Sequence, residues 1–448
     1  MSQGHRTLSP VRRGVTGVVA VPGDKSISHR ALFFGGMNRG RTRLRNLAPG
    51  DDVRSTIGVL KRLGRRIEED GRDASMTWEG RGGEAGVELD CGNSGTTARL
   101  LAGFVTGEHG RFTLTGDRSL AVRPMERIVD PLRRLGAEIT STSGTLPVSV
   151  IAQGLLTGLD ATTNGPIDVS SAQVHAGLVL AGLRSRHGLR LRRIAPMRDH
   201  TLRIARSFGV EIASHRDGEW LCDVITPSNI ALDVDRCIPG DFSSAAFWMA
   251  AALILPGSRL EFPRLGLNPT RIPFLQAARA MGGDVVWTSD IVEGEVVGQV
   301  VVRGGARLRA IQIHGDAGPI PVSLAIDELP LIALLGAFAE GLTNVSGAGE
   351  LRRKESDRIS ATVDVLRCLG VEIEEHNDGF SLHGPQPIRG GLVDSHGDHR
   401  LAMLAGIASL AAEGPVTLLK PEAVSISYPG FWSERTRLAE GVMPRNVP

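Results

Sequence analysis

One pattern recurs along this chain and constrains its fold more than any other feature. A helical stretch closes on glycine, a residue or two follow, and a β-branched strand begins. It is written VLKRLGRRI (Val59–Ile67), PLRRLGAEI (Pro131–Ile139), RIARSFGVEI (Arg203–Ile212), LQAARAMGGDVV (Leu275–Val286) and DVLRCLGVEI (Asp364–Ile373). The glycines stand at 64, 136, 209, 282 and 370, in steps of 72, 73, 73 and 88 residues. Each reads as a helix ended by a glycine in the left-handed region, then a short loop into a strand. The last helix, Phe431–Val442, reads as a weaker sixth copy. A second helix type alternates with the first, within Ser28–Leu47, Thr96–Leu114, Ser171–Leu191, Ser243–Leu260, Glu328–Val345 and His399–Leu418. These begin on polar caps and are apolar all round, as in AAFWMAAALIL and LIALLGAFA, so they belong to an interior. The chain therefore predicts six βαβ-type units of about 70 residues each.

A higher-order repeat overlies the six. Val21-Pro22-Gly23-Asp24-Lys25-Ser26 resembles Ile238-Pro239-Gly240-Asp241-Phe242-Ser243, and the two glycines are 217 residues apart in a chain of 448. Ordinary turn chemistry can also write Pro-Gly-Asp. Read as two crossings between pseudo-equivalent domains, it predicts one discontinuous domain, 1–22 plus 240–448, and one continuous domain, 23–239, of three units each.

Composition narrows the function. With 51 basic and 49 acidic residues the net charge is +2, which excludes an electrostatically driven nucleic-acid binder. Five Trp, one Tyr and 12 Phe leave little for stacking bases or anchoring at a bilayer interface. The apolar runs Ala245–Pro256 and Leu329–Ala339 are shorter than the ~18 residues of a membrane span. No long apolar segment follows Arg12-Arg13, so no secretory signal is expected. Four cysteines without a CxxC pair read as reduced thiols in a cytoplasmic protein. Only 4 of the 51 cations are lysine, Lys25, Lys61, Lys354 and Lys420, which marks those positions for attention.

The candidate chemistry gathers at helix starts. GDKSISHR (Gly23–Arg30) opens the first buried helix with Lys, two Ser and Arg, where unpaired N–H groups favour an anion. Lysine there supplies a point charge and arginine a bidentate fork. CGNSGTTAR (Cys91–Arg99) lets backbone approach a ligand. Arg118 and Arg123-Pro124-Met125 put arginine at another helix start, with Pro124 in the first turn. Ser170-Ser171-Ala172-Gln173 suits a polyol. In the second half stand Asp327-Glu328, Lys354-Glu355-Ser356-Asp357-Arg358 and Asp398-His399-Arg400. KESDR alone would read as an exposed helical face. The same kinds of group recur at helix mouths in both halves, and this predicts one cationic cleft of Lys25, Arg30, Arg123, Lys354, Arg358 and Arg400 for substrates with several negative charges. HGDHR lacks a metal-ligand spacing, and neither a GxSxG elbow nor a dinucleotide fingerprint is present.

Taken in order, the motifs PGDKSISHR, NSGTTAR, RPM, SAQ, RDHT, PGDFSS, NPTR, DELP, LRRKESDR and DHRLAM resemble the 3-phosphoshikimate 1-carboxyvinyltransferase family from about Leu8 to Leu438. The resemblance implies an α/β (α+β) fold of the two-domain enolpyruvyl-transferase type, each domain of three βαβαββ units in an inside-out α/β barrel, with the active site in the interdomain cleft. It implies transfer of the enolpyruvyl group of phosphoenolpyruvate to the 5-hydroxyl of shikimate 3-phosphate, in chorismate and aromatic amino-acid biosynthesis, by a monomer needing no metal or organic cofactor. Carried onto this sequence, Lys25, Ser26, Arg30, Ser171, Ala172, Gln173, Asp327 and Lys354 are expected to hold shikimate 3-phosphate. Lys25, Gly95, Arg123, Arg358 and Arg400 are expected to hold phosphoenolpyruvate. Asp327 and Glu355 match acid/base groups, with Lys25 a third catalytic position.

Some positions depart from the family pattern. Ala172 replaces a frequent serine, Ile426 falls near a phosphoenolpyruvate-binding lysine, His175 stands where SAQxK would place lysine, and Leu202 where RDHTE would place glutamate. Gly95 is retained where alanine would crowd a glyphosate-like inhibitor, and Leu100 replaces a common proline. Two rivals are a UDP-N-acetylglucosamine enolpyruvyl transferase, which would carry a cysteine in a Gly/Arg/Pro-rich loop that is lacking here, and a non-catalytic paralogue, which would have no need of the retained proton-transfer groups.

Overall fold

The computed structural model describes residues 4–442 apart from 12, 79–85, 159–164 and 195–196, so Arg12 of the Arg12-Arg13 pair lies outside the described residues. The chain forms two compact units. A split unit comprises Met1–Pro22, Pro239–Val292 and Val296–Pro448, and an inserted unit comprises Gly23–Ile238 with Glu293–Glu295. Each has its own apolar core.

Six small sheets are present among the described residues, five of four strands and one of three. The inserted unit shows the repeat plainly. Val87–Asp90 leads through the helix Gly95–Val105 to His109–Thr115, and these two strands pair in parallel. The helix Glu126–Arg134 then leads into the strands Glu138–Thr142 and Thr145–Gln153, which complete the sheet antiparallel. The order is β-α-β-α-β-β, a crossover helix followed by a hairpin. Ile167–Val169, Leu189–Ile194, Trp220–Ile225 and Ala213–Asp217 repeat it. In the remaining sheet of this unit the leading strand comes from far along the chain: Val234–Cys237 pairs in parallel with Thr42–Arg45. The split unit does likewise, Thr16–Val18 lying parallel to Arg259–Gly266. Its three-stranded sheet borrows His5–Leu8, antiparallel to Val416–Leu419.

The helix-closing glycines behave as their spacing predicts. Gly64, Gly136, Gly209, Gly282 and Gly370 have φ of +80°, +89°, +72°, +88° and +90°, and Gly441 closes the sixth helix at +73°. The six apolar helices are interior. Every residue of Phe242–Ile254 is buried, and Lys25–Met37, Gly95–Val105, Ala172–Leu183, Leu329–Gly336 and His399–Ala408 are buried almost throughout. Close packing needs small residues: a Cβ on Gly103 would stand 1.9 Å from the Gly177 carbonyl oxygen, so these two helices touch backbone to backbone. Aromatic packing seals the split unit, with Trp248 stacked on Phe431 at 4.8 Å between centroids.

One local expectation changes, and the exposed-face alternative for KESDR falls away. The helix after Arg123 begins at Glu126, so Pro124 precedes it. KESDR is not a helical face: Lys354–Asp357 follow the 3₁₀ turn Gly349–Arg353, and the helix starts at Arg358 with Asp357 as its cap. The Asp357 carboxylate takes the N–H groups of Ile359 and Ser360, which stops the helix from extending backward.

Candidate active site

In the inserted unit, three helix starts carry the motif residues. Asp24 caps the Lys25–Met37 helix by accepting from the Ile27 N–H at 2.9 Å, which leaves Lys25 and Ser26 in the first turn. Lys25 Nζ sits 2.9 Å from Asp52 Oδ2. One turn on, Arg30 is buried, and its guanidinium donates to Thr201 Oγ1 at 2.8 Å and to the carbonyls of Ser26 and Ala172 at 2.9 and 3.1 Å. Position 172 thus engages Arg30 through its backbone, so alanine there keeps that contact where the family often has serine. Ser171 caps Ala172–Leu183 by position, yet its side chain makes no capping hydrogen bond.

Gln173 on the same helix accepts from Arg99 at 2.9 Å and donates to Thr96 at 3.0 Å. Arg123 donates to Asn93 Oδ1 and Ser119 Oγ at 3.0 and 3.1 Å. Gly95 lies beneath both arginines: a Cβ there would stand 2.7 Å from Arg99 Nη1 and 3.4 Å from Arg123 Nη1. His29 bonds Thr56 at 2.7 Å. Burial first, then Lys25 and Arg30, hold its pKa well below the ordinary imidazole value.

The split unit gathers its residues around Asp327. The Asp327 carboxylate lies 3.3 Å from Arg358 Nη1, 3.7 Å from Lys354 Nζ and 3.6 Å from Arg400 Nη2. Arg400 Nη1 also donates to the Asp327 carbonyl at 2.9 Å. Arg358 is buried among carboxylates, with Glu355 at 2.6 Å and Asp398 at 2.7 Å. Burial opposes its charge, but Asp398 and Glu355 outweigh it and raise the guanidinium pKa. Burial likewise opposes the Asp398 carboxylate, while Arg358 and His399 hold its pKa low. Asp398 also caps the His399–Ala408 helix through the Arg400 N–H at 2.9 Å, so one carboxylate fixes both arginines.

The structure therefore brings Lys25, Ser26, Arg30, Gly95, Arg123, Ser171, Ala172 and Gln173 together in one unit and Asp327, Lys354, Glu355, Arg358 and Arg400 together in the other. Among the described residues no group of three His, Cys, Asp or Glu side chains is placed to hold a metal ion. Position 175 is filled differently from the family lysine: buried His175 bonds Asp223 at 2.9 Å, and Arg193 bonds the same carboxylate at 2.8 Å. Leu202 is buried. Ile426 ends the 3₁₀ turn Pro421–Ile426 and is half-buried. Asp52 and Arg99 are absent from the residues the sequence assigns to substrates, while Glu328 and Asp398 stand in its candidate clusters without an assigned role. Arg99 had a signal, one turn after Gly95 in NSGTTAR, and Asp398 stood in DHR; Asp52 had none.

The chain is similar to known proteins along nearly its whole length. The family model for EPSP synthase (3-phosphoshikimate 1-carboxyvinyltransferase) matches residues 11–434. A 3-phosphoshikimate 1-carboxyvinyltransferase of Lactiplantibacillus plantarum is 41% identical over 435 residues, covering 96% of this chain and 98% of that one. One from Halorhodospira halophila is 43% identical, covering 95% and 94%. The structure of EPSP synthase from Acinetobacter baumannii superposes with a TM-score of 0.82 at 34% identity, covering 97% and 98%. The enolpyruvyl transferase NikO from Streptomyces tendae, at 17% identity and a TM-score of 0.73 over 97% and 98%, shares the fold. The chain belongs to the EPSP synthase (3-phosphoshikimate 1-carboxyvinyltransferase) family.

Proposed function

We propose that the two residue clusters serve one reaction, the transfer of the enolpyruvyl group of phosphoenolpyruvate to the 5-hydroxyl of shikimate 3-phosphate with release of phosphate. The observation that carries this reading is Asp327, a carboxylate held among three cations and adjacent to the Arg358–Glu355 pair. The chemistry needs such an arrangement. The attacking hydroxyl loses a proton while the enol methylene carbon gains one, giving a tetrahedral adduct. That adduct then loses a methyl proton as the C–O bond to phosphate breaks.

In this assignment Asp327 accepts the hydroxyl proton and Glu355 serves the carbon. Lys25, Arg123, Arg358 and Arg400, with the backbone at Gly95, hold phosphoenolpyruvate. Lys25, Ser26, Arg30, Ser171, Ala172, Gln173, Asp327 and Lys354 hold shikimate 3-phosphate. The positive charges stabilise the phosphates and the charge that develops as the C–O bond breaks. Two small anions binding both clusters would draw the units together, so scattering in solution should show compaction only when both ligands are added; an unchanged radius would count against closure.

Incubation with both substrates should release inorganic phosphate. A release on UDP-N-acetylglucosamine instead would overturn the reading, though the relatives that match do not favour that alternative. We also place the enzyme in the cytoplasm as a monomer without nucleic-acid partners. Its free cysteines and its small phosphorylated substrates support the compartment.

A further inference from the structure

We propose that Glu328 is a positioning residue of the transferase, setting the orientation of Arg400 toward phosphoenolpyruvate. Glu328 stands one residue before the Leu329–Gly336 helix and is 1% exposed. Its Oε1 accepts from Ser243 Oγ and lies 3.5 Å from Arg400 Nη1. Ser243 in turn accepts from Arg271 Nη2 at 2.6 Å, and the same nitrogen lies 3.3 Å from Asp241. Asp241, Ser243 and Arg271 are all buried. The PGDFSS, NPTR, DELP and DHR motifs are therefore joined in one chain of contacts, Arg271 to Ser243 to Glu328 to Arg400, ending on an arginine expected to touch substrate.

Two features separate this carboxylate from ordinary packing. Its Oε2 has no hydrogen-bond partner among the described residues, a costly condition for a buried carboxylate. It also faces a guanidinium whose other contacts are to Asp327: the carbonyl at 2.9 Å and the carboxylate at 3.6 Å. With Glu328 charged, Arg400 Nη1 is shared between Glu328 and the Asp327 carbonyl. Without that charge, Arg400 is free to settle more closely on the Asp327 carboxylate, which removes charge from the phosphoenolpyruvate side.

The inference rests on the reading that Arg400 holds phosphoenolpyruvate, and the test separates the two. Steady-state constants are measured for Glu328→Gln, Arg400→Lys and the double variant. Glu328→Gln should raise KM for phosphoenolpyruvate about tenfold and leave KM for shikimate 3-phosphate within about twofold. In the Arg400→Lys background it should add less than about twofold, because the group it positions is altered. Glu328→Asp, which keeps the charge, should restore most of the loss. Should Glu328→Gln fail to fold, Ser243→Ala breaks the same chain and should raise KM for phosphoenolpyruvate about threefold. Arg400→Lys raising that KM while Glu328→Gln or Ser243→Ala does not would overturn the inference alone, as would full additivity in the double variant. Arg400→Lys without effect on that KM would overturn the reading of the site.

Discussion

The two residue clusters handle their arginines differently, although Lys25 in the first is paired with a carboxylate, Asp52. In the inserted unit Arg30 donates to a hydroxyl and two carbonyls, Arg99 to Gln173, and Arg123 to Asn93 and Ser119. These acceptors are neutral groups that orient the fork. In the split unit Arg358 lies against Asp398, Glu355 and Asp327, and Arg400 against Asp327 and Glu328. Here cations and carboxylates alternate. The difference teaches a division of labour: the first arrangement suits holding a dianion, and the second suits carboxylates that exchange protons while keeping their place. Buried ion pairs are costly to build, and breaking one by removing a partner costs ~3–5 kcal/mol, so such a network resists rearrangement during the reaction.

The largest effect should come from the proton-transfer side. Asp327→Asn should lower kcat by on the order of 10³-fold, the range of a positioned acid/base group, in a phosphate-release assay. A loss below about tenfold would place the base elsewhere. On the holding side, Arg30→Ala should weaken shikimate 3-phosphate by roughly 10–100-fold, as for one or two charge-assisted hydrogen bonds, with a smaller change in kcat. If kcat fell and binding did not, the contrast between the clusters would fail.

A subtler consequence concerns pH. His29 beside Lys25 and Arg30 has a folded-state pKa held well below 6.5, and burial, then the contact with Asp223 acting against it, leave His175 lowered as well. The unfolded chain therefore takes up protons first as pH falls through about 6.5, and stability falls with it by up to about 1.4 kcal/mol per pH unit for each histidine. Equilibrium urea unfolding at pH 7 and pH 5 should show that loss, and His29→Gln should remove one histidine's share. The smallest effect belongs to Lys61. Its pair with Glu69 is close to half exposed at both side chains. Lys61→Ala should change stability by less than about 0.5 kcal/mol and leave kinetics alone. A larger effect would mean that the exposed lysines carry more than surface charge.

Much of the fold was legible because it is periodic. The closing glycines mark helix ends through a local need for positive φ, which the structure meets at each of the five positions and again at Gly441. The six apolar helices are interior because their apolar residues run all the way round, with the polar groups gathered toward their N-terminal ends. The strand pairings that close each unit were not legible. Val234–Cys237 beside Thr42–Arg45, and His5–Leu8 beside Val416–Leu419, join segments far apart in sequence, and no local pattern records the partner. The site divides along the same line. Motif residues at helix starts could be read from capping and charge, whereas Asp52 against Lys25 and Glu328 against Ser243 are set by which helices the fold brings together. Lys354–Asp357 suit a helix by composition alone, but Asp357 is used as the cap that begins one, in line with the recurrence of charged groups at helix mouths.

The division of labour is tested most directly by calorimetric titration of shikimate 3-phosphate into Lys25→Ala and Asp327→Asn. Removal of the Lys25 charge should weaken binding by roughly 10-fold or more, while Asp327→Asn, which keeps a hydrogen-bonding group of the same shape, should bind within about threefold of the unaltered enzyme. Lys25→Ala binding normally while Asp327→Asn loses the ligand would contradict the account.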